Sequence, residues 1–374
     1  MTSTEYAWFL PTGRYGDGHT INAKTPERPP TVEYMSEVAR AAENAGFVNL
    51  LVPTGSHCLD AWMITLAVAQ RTDRIKFCVA FRPGLTSPVL TAQQANTYDA
   101  VTGGRLTVNV VTGSTPVDQK RYGDHLAHAE RYARTEEFLD VVKALWTSDE
   151  PVSYSGKYYQ IENATLYAKA VSKPHPTIFL GGSSEAGRRV GAKHADVHMM
   201  WAVAPEQVAE DAADMRRRAA EIGRDDLRFG LRLHVMCRES KKEARRAAEA
   251  LLDESALENT RMWADQRNRS ESEGQRRMNE LYEGGSPWLT DTLWMGVNKV
   301  RSGAAAMLVG TPEMLAKALK EYVDLGVRNF ILSGWPHLEE AGIFGREVMP
   351  LLQDTNPARL EYADSEPAPS PLTR

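Results

Sequence analysis

Short apolar runs recur along this chain at spacings that suit strands, and amphipathic stretches fill the gaps. Ala7-Trp8-Phe9-Leu10 is stopped by Pro11-Thr12-Gly13, and Val48-Asn49-Leu50-Leu51-Val52 by Pro53-Thr54-Gly55. Residues 75–80, 106–111, 176–180, 195–201 and 329–333 repeat the pattern. The helices between them carry their own punctuation. Thr31 caps one, Met35, Val38, Ala39 and Ala42 form its apolar stripe, and Gly46 ends it. Further helical patterns cover 59–71, 88–100 with Pro88 in its first turn, 127–146, a stretch ending at Ala192, 205–222, 241–252, 312–325 and 338–352.

The stretch Leu231-Arg232-Leu233-His234-Val235-Met236-Cys237 alternates with period 2. It predicts a half-buried strand, the seventh, with Arg232 and His234 on one face and pointing into the same space. An edge strand whose polar face meets water has the same pattern. Residues 150–176 interrupt the rhythm with a hairpin at 152–159, and 255–305 are polar with no clear element. The Pro- and Ser-rich tail, 354–374, reads as flexible or wrapped on the surface.

Eight strands alternating with helices predict an α/β fold, a (β/α)8 TIM barrel with insertions, as one domain over 1–353. A doubly wound sheet would more often show G-x-G-x-x-G after its first strand, and none stands there. A length of 374 residues and 42% hydrophobic content can fill such a barrel. A net charge of -5 speaks against a nucleic-acid surface. Cys58, Cys78 and Cys237 form no C-x-x-C pair, which fits a reducing cytoplasm without structural zinc. No basic leader and no membrane-length apolar run is present, so the reading is a cytoplasmic protein away from membranes.

In such barrels chemistry sits at the carboxyl ends of strands. That rim holds Thr12 and His19, Thr54 and Cys58, Arg82, Asn109 and Thr112, Gly181 to Ser184, Trp201, Arg232 and His234, and Ser333 to His337. It is rich in hydroxyls, amides and cations and poor in carboxylates, so it suits anions. Gly181-Gly182-Ser183-Ser184 opens a helix and can hold a phosphate, although a plain Ser-capped turn looks the same. Cys58 precedes a helix start, which would lower a thiol pKa, but a small residue beside a cofactor ring fits as well. Trp62, Trp201 and Trp335 read first as packing.

Several segments, taken in order over about residues 7–352, resemble the flavin-dependent alkanesulfonate monooxygenases of the bacterial luciferase-like group. They are Ala7-Trp8-Phe9-Leu10-Pro11-Thr12, Cys58-Leu59-Asp60-Ala61-Trp62, Asn109-Val110-Val111-Thr112-Gly113-Ser114, His128-Ala129-Glu130-Arg131-Tyr132, Gly181-Gly182-Ser183-Ser184, Arg228 to Val235, and Ser333-Gly334 with Pro336-His337. The resemblance implies a TIM barrel using FMN as FMNH2, delivered by a separate NAD(P)H-dependent flavin reductase. It implies O2 activation on that flavin, and cleavage of an organosulfonate to sulfite and a carbonyl product. Carried over, Thr54, Cys58, Asn109, Thr112, His128, Tyr132, Gly182, Ser183 and Ser184 would face the flavin. Arg232, His234 and Arg301 would be catalytic, with Trp201, Trp335 and His19 helping to bind the sulfonate. Arg301 would sit on a mobile lid formed by 255–305. A homo-oligomer, dimer or tetramer, is implied by analogy.

Two departures sit at the substrate mouth. Trp335 replaces the family's usual tyrosine, and Gly13-Arg14-Tyr15 lengthen the first loop. They leave room for a polar sulfosugar such as sulfoquinovose. A luciferase-like oxygenase acting on a non-sulfonate anion is a further reading, as is a non-catalytic flavin- or sulfonate-binding protein.

Overall fold

The computed structural model describes residues 3–355 apart from 24, 114, 253–268 and 284. Eight parallel strands close into a barrel: β1 (Glu5–Phe9), β2 (Asn49–Val52), β3 (Lys76–Phe81), β4 (Leu106–Val110), β7 (Thr177–Gly181), β8 (Val197–Trp201), β9 (Arg228–Arg232) and β13 (Val327–Ile331). Around the barrel the order is β1-β13-β9-β8-β7-β4-β3-β2. The predicted (β/α)8 architecture is the observed one. The helices are α1 (Val32–Ala45), α2 (Ala61–Ala69), α3 (Pro88–Thr102), α4 (Pro116–Arg121), α5 (His128–Thr147), α6 (Glu185–His194), α7 (Pro205–Glu221), α8 (Lys241–Ala250), α9 (Glu273–Glu283), α10 (Pro312–Asp324) and α11 (His337–Ile343).

The strands read as apolar runs because both faces are covered. Ala7 and Phe9 pack inside the barrel with Leu51, Cys78, Phe179, Val197 and Ile331. Tyr6, Trp8 and Leu10 face outward, in the core beneath the helices. The helix starts are set as their sequences say. The Thr31 hydroxyl accepts from the Tyr34 amide, Ser87 caps the helix opened by Pro88, and Gly46 closes α1 at φ 91° in the left-handed region.

The seventh strand corrects the sequence reading. It breaks at Leu233, whose N–H still bonds the Ile331 carbonyl at 3.1 Å, while the next N–H, of His234, bonds Ala306 at 2.8 Å. Beyond the break, β10 (His234–Cys237) leaves the barrel and pairs with β12 (Met307–Gly310), which also pairs with the short β11 (Leu293–Trp294). Every side chain from Leu231 to Cys237 is buried, so neither face meets water.

Three other readings shift. The expected hairpin is present but longer than 152–159: β5 (Val152–Ser155) pairs with β6 (Gln160–Ala164), and residues 156–159 make the turn. The described part of 255–305 holds α9, β11 and a 3-10 turn, Gly296–Lys299. Among its residues α9 buries only Gly274, Gln275 and Met278, too little apolar contrast to register as a period. The last predicted helix is α-helical only to Ile343 and continues as π and 3-10 turns. The tail beyond 355 lies outside the described residues. Among the described residues no helix is long and apolar enough to cross a membrane.

The π turn docks closely on α1. A Cβ built at Gly345 would lie 2.5 Å from Ala45 Cβ and 2.8 Å from Ala45 Cα, atoms that cannot swing aside. Gly345→Ala is expected to cost about 1–3 kcal/mol by overpacking. Urea unfolding would show it as a lower midpoint with an unchanged slope.

Candidate active site

Two neighbouring cavities open at the carboxyl ends of the barrel strands. The smaller, about 240 Å³, lies over β4, β7, β8 and β9. Its wall includes Asn109, Thr112, His128, Tyr132, Gly182, Ser183, Ser184, Trp201 and Arg232. Here seven of the nine residues read as flavin contacts come together. Thr54 lines neither this cavity nor the other, and Cys58 lines the other.

The smaller cavity is built for close approach. The Ser184 hydroxyl caps α6 through the Gly187 amide at 3.2 Å. A Cβ on Gly182 would fall 2.7 Å from the Tyr132 hydroxyl and 3.0 Å from Gly187 Cα, so only glycine lets the chain pass. The Tyr132 hydroxyl has Thr112 and Ser184 as hydrogen-bonding neighbours, and burial raises its pKa. Burial, then the Arg131 charge, lowers the pKa of His128, which keeps its imidazole neutral. One carboxylate, Glu273, reaches the wall from α9. Hydroxyls, a helix amino end and bare backbone form a donor set that fits a phosphate-bearing ligand.

The larger cavity, about 340 Å³, is walled by the loops after β1, β2 and β3 and by the segment carrying Arg301. Phe9, Asp17, His57, Cys58, Arg82, Asp118, Arg121, Arg301, Trp335 and His337 line it. Arg82 is paired with Asp118, and Asp17 with His337. Arg301 has no carboxylate partner among the described residues. Asn22 Nδ2 donates to the Val300 carbonyl at 2.8 Å, and the Gly303 amide donates to Gln275 Oε1 at 2.7 Å. These two bonds fix the backbone on either side of Arg301.

Phe9, in the wall of the larger cavity, has an arginine from each cavity beside its ring. The Arg232 guanidinium lies 5.2 Å from the ring centroid and that of Arg301 5.6 Å, with Arg301 also 5.7 Å from the Trp335 ring. Arg232 is buried and, among the described residues, bonds only neutral oxygens: the Leu233 and Ile331 carbonyls and, at 2.7 Å, Ser333 Oγ. Burial lowers the pKa of both guanidiniums, and in Arg232 the Arg301 charge adds to it. Two desolvated like charges with no described counterion form a site that favours an anion.

His234 stands elsewhere than the sequence reading put it. It converges with Arg232 on Ser333 rather than on a cavity. Its Nε2–H donates to the Ala304 carbonyl at 2.9 Å, so Nδ1 is the acceptor, taking the Ser333 hydroxyl at 2.7 Å. Burial and the two arginines hold its pKa well below the ordinary histidine range. It is a neutral prop with both nitrogens engaged, and it lines neither cavity. His19 is exposed, bonded to Glu27 at 2.9 Å, and also lines neither. Trp201 faces the smaller cavity with Arg232, and Trp335 the larger with Arg301.

Sequence reasoning missed His57, Asp17, Asp118 and Arg121. His57 and Asp17 sit in loops and Asp118 and Arg121 on the short α4, none in a motif of its own, and Asp17 gains its partner from 320 residues away. The one usable signal was position, just past the end of a barrel strand.

A family model described as luciferase-like monooxygenase matches residues 4–329. The structure of a riboflavin lyase with modified FMN and riboflavin aligns with 98% of this chain and 97% of its own, at TM-score 0.77 and 18% identity. A long-chain alkane monooxygenase aligns over 95% and 92%, at TM-score 0.75 and 21% identity. An F420-dependent secondary alcohol dehydrogenase aligns over 94% and 99%, at TM-score 0.66 and 19% identity. At these identities the likeness is one of fold, and the barrel by itself does not choose among cofactors.

The thiol at Cys58 behaves unlike the activated cysteine its helix start suggested. Burial pushes its pKa up to about 11, outweighing the nearby Arg301 charge. At pH 8 its thiolate fraction should be about a hundredfold below that of an ordinary cysteine. Iodoacetamide should therefore alkylate the native protein at Cys58 about a hundredfold more slowly than a free thiol. A rate equal to the free thiol's would show an ionised Cys58.

Proposed function

The chain belongs to the luciferase-like monooxygenase family, and from that premise we propose that it is a two-component, FMNH2- and O2-dependent enzyme that cleaves the C–S bond of an organosulfonate. Sulfite and a carbonyl compound are the products. The observation that carries this reading is the pair of arginines, Arg232 buried and Arg301 half-buried, without described carboxylate partners, one lining each cavity and both beside the Phe9 ring. A sulfonate is a fixed anion, and guanidinium forks can replace the hydration it loses.

Asn109, Thr112, His128, Tyr132, Gly182, Ser183 and Ser184 would hold the flavin. Reduced FMN would supply the electrons and the O2 activation. The chain's own residues bind and orient. Ser333 and His234 hold the Arg232 fork in place through neutral hydrogen bonds. The Gln275 and Asn22 contacts position Arg301 from both sides. Trp335, Phe9 and Trp201 give apolar walls that limit water at the reacting centre.

A sulfosugar is the second reading, and one observation favours it over a linear alkanesulfonate. The larger cavity is lined by Tyr15, Asp17, Thr20, Asn22, Asp118 and Ser302 as well as its arginines, a wall suited to hydroxyl groups. The proposal also includes a single domain over 1–353, a separate flavin reductase, a homo-oligomer and a cytoplasmic setting.

Sulfite release, measured with FMN, a flavin reductase, NADH and a panel of alkane-, aryl- and sugar sulfonates, tests the reading. No sulfite from any of them would remove it in favour of another anion or of binding without turnover. Arg301→Ala is expected to lower sulfite release at least about a hundredfold while anaerobic binding of reduced FMN stays within about twofold. Gly182→Ala should reverse that split, weakening reduced-FMN binding at least about tenfold by displacing Tyr132. Equal loss of both properties in Arg301→Ala would show that the two cavities are misassigned.

A further inference from the structure

One buried group in the larger cavity has no use in the reading above. His337 opens α11 and lines that cavity while only 2% exposed. Its Nδ1 lies 2.7 Å from Asp17 Oδ1, and its backbone N–H donates to Asp17 Oδ2 at 2.7 Å. The Tyr34 hydroxyl donates to the same Oδ2. Asp17 is a carboxylate that only accepts here, from the His337 backbone N–H, the His337 ring and the Tyr34 hydroxyl. In the neutral ring the proton therefore sits on Nδ1, facing Asp17, and Nε2 carries a bare lone pair. That Nε2 is buried and has no hydrogen-bond partner among the described residues.

A buried polar atom without a partner is rare enough to need a reason. The surroundings give Nε2 no partner of their own. The Phe9 ring centroid is 5.5 Å from that of His337, and the Trp335 ring meets it edge-on at 5.6 Å. Both rings wall the same cavity, and Arg301 lies over both of them. A ligand anion held at Arg301 would place its neighbouring carbon in the space that His337 borders.

We propose that His337, oriented by Asp17, is the proton acceptor of the larger cavity and takes the hydroxyl proton of the oxygenated substrate as its C–S bond breaks. This rests on the sulfonate reading. In a 1-hydroxysulfonate the O–H proton passes to Nε2, and the O–H electron pair becomes the second C–O bond. The C–S pair leaves on sulfur as sulfite. Atoms and electrons balance, and the step needs no oxidant or reductant. Asp17 stabilises the imidazolium that forms, so it is a positioning residue and His337 the catalytic one.

The test uses the full-length protein with FMN, a flavin reductase and whichever sulfonate releases sulfite from the wild type. His337→Gln keeps an amide that can donate to Asp17 but removes the base. It should lower sulfite formed per O2 consumed at least about a hundredfold, the missing turnover being held as the 1-hydroxysulfonate, with reduced-FMN binding unchanged. Asp17→Asn should give a smaller loss in kcat with little change in KM. Wild-type sulfite yield in His337→Gln would overturn the proposal. Nitrogen-15 NMR of the imidazole supplies a second arm that needs no turnover. The neutral wild-type ring should carry its proton on Nδ1, and ethanesulfonate should shift the Nε2 signal in the wild type. A proton found on Nε2, or an Nε2 signal that ignores ethanesulfonate bound at Arg301, overturns the dyad. An absence of sulfite from the wild type with every sulfonate would instead remove the sulfonate reading, and the NMR result would then decide the dyad by itself.

Discussion

Two guanidinium groups, one buried and one half-buried, set beside one phenylalanine ring with no described carboxylate to neutralise them, are the constraint from which the site follows. Arg232 comes from the end of β9 and Arg301 from the segment that precedes β12. Leaving a desolvated charge uncompensated is among the costlier things a folded chain can do. The barrel tolerates it by giving Arg232 neutral oxygens and an aromatic face and giving Arg301 two aromatic faces. Each partly replaces water, and none cancels the charge. The result is a pair of adjoining positive groups whose charge an anion would offset.

The break at Leu233 serves that arrangement. If β9 had run on, His234 would have remained in the barrel ladder and residues 234–237 would have continued upward. By leaving the barrel they form a second small sheet at its mouth, and Ser333 comes between Arg232 and His234. The imidazole then works as a spacer. Its tautomer is fixed by a carbonyl on one side, and on the other it accepts from the hydroxyl that holds the arginine.

The barrel was legible in the sequence because its strands obey a simple rule. β1 and β2 are buried on both faces, so they appear as unbroken apolar runs, and caps such as Thr31 and Ser87 mark where the helices begin. The smaller cavity was legible too, since Asn109, Thr112 and Gly182 to Ser184 all stand just at or after a strand end. What failed had a common cause. The split at Leu233 is invisible to periodicity because both pieces alternate with the same period. Two-residue β11 and the charged α9 carry too few apolar positions to show a pattern. The Asp17–His337 pair joins the first loop to the last, and no local signal reports a contact closed by the barrel itself.

The span from α9 to Arg301 touches both cavities. Gly274, near its start, packs its backbone on Trp201 and Ser183 of the smaller one, and Gln275 ties that point to Gly303 beside the larger. One piece of chain is thus a wall of both chambers. A ligand that shifted it from one chamber would change the free energy of filling the other, by equal amounts in both directions.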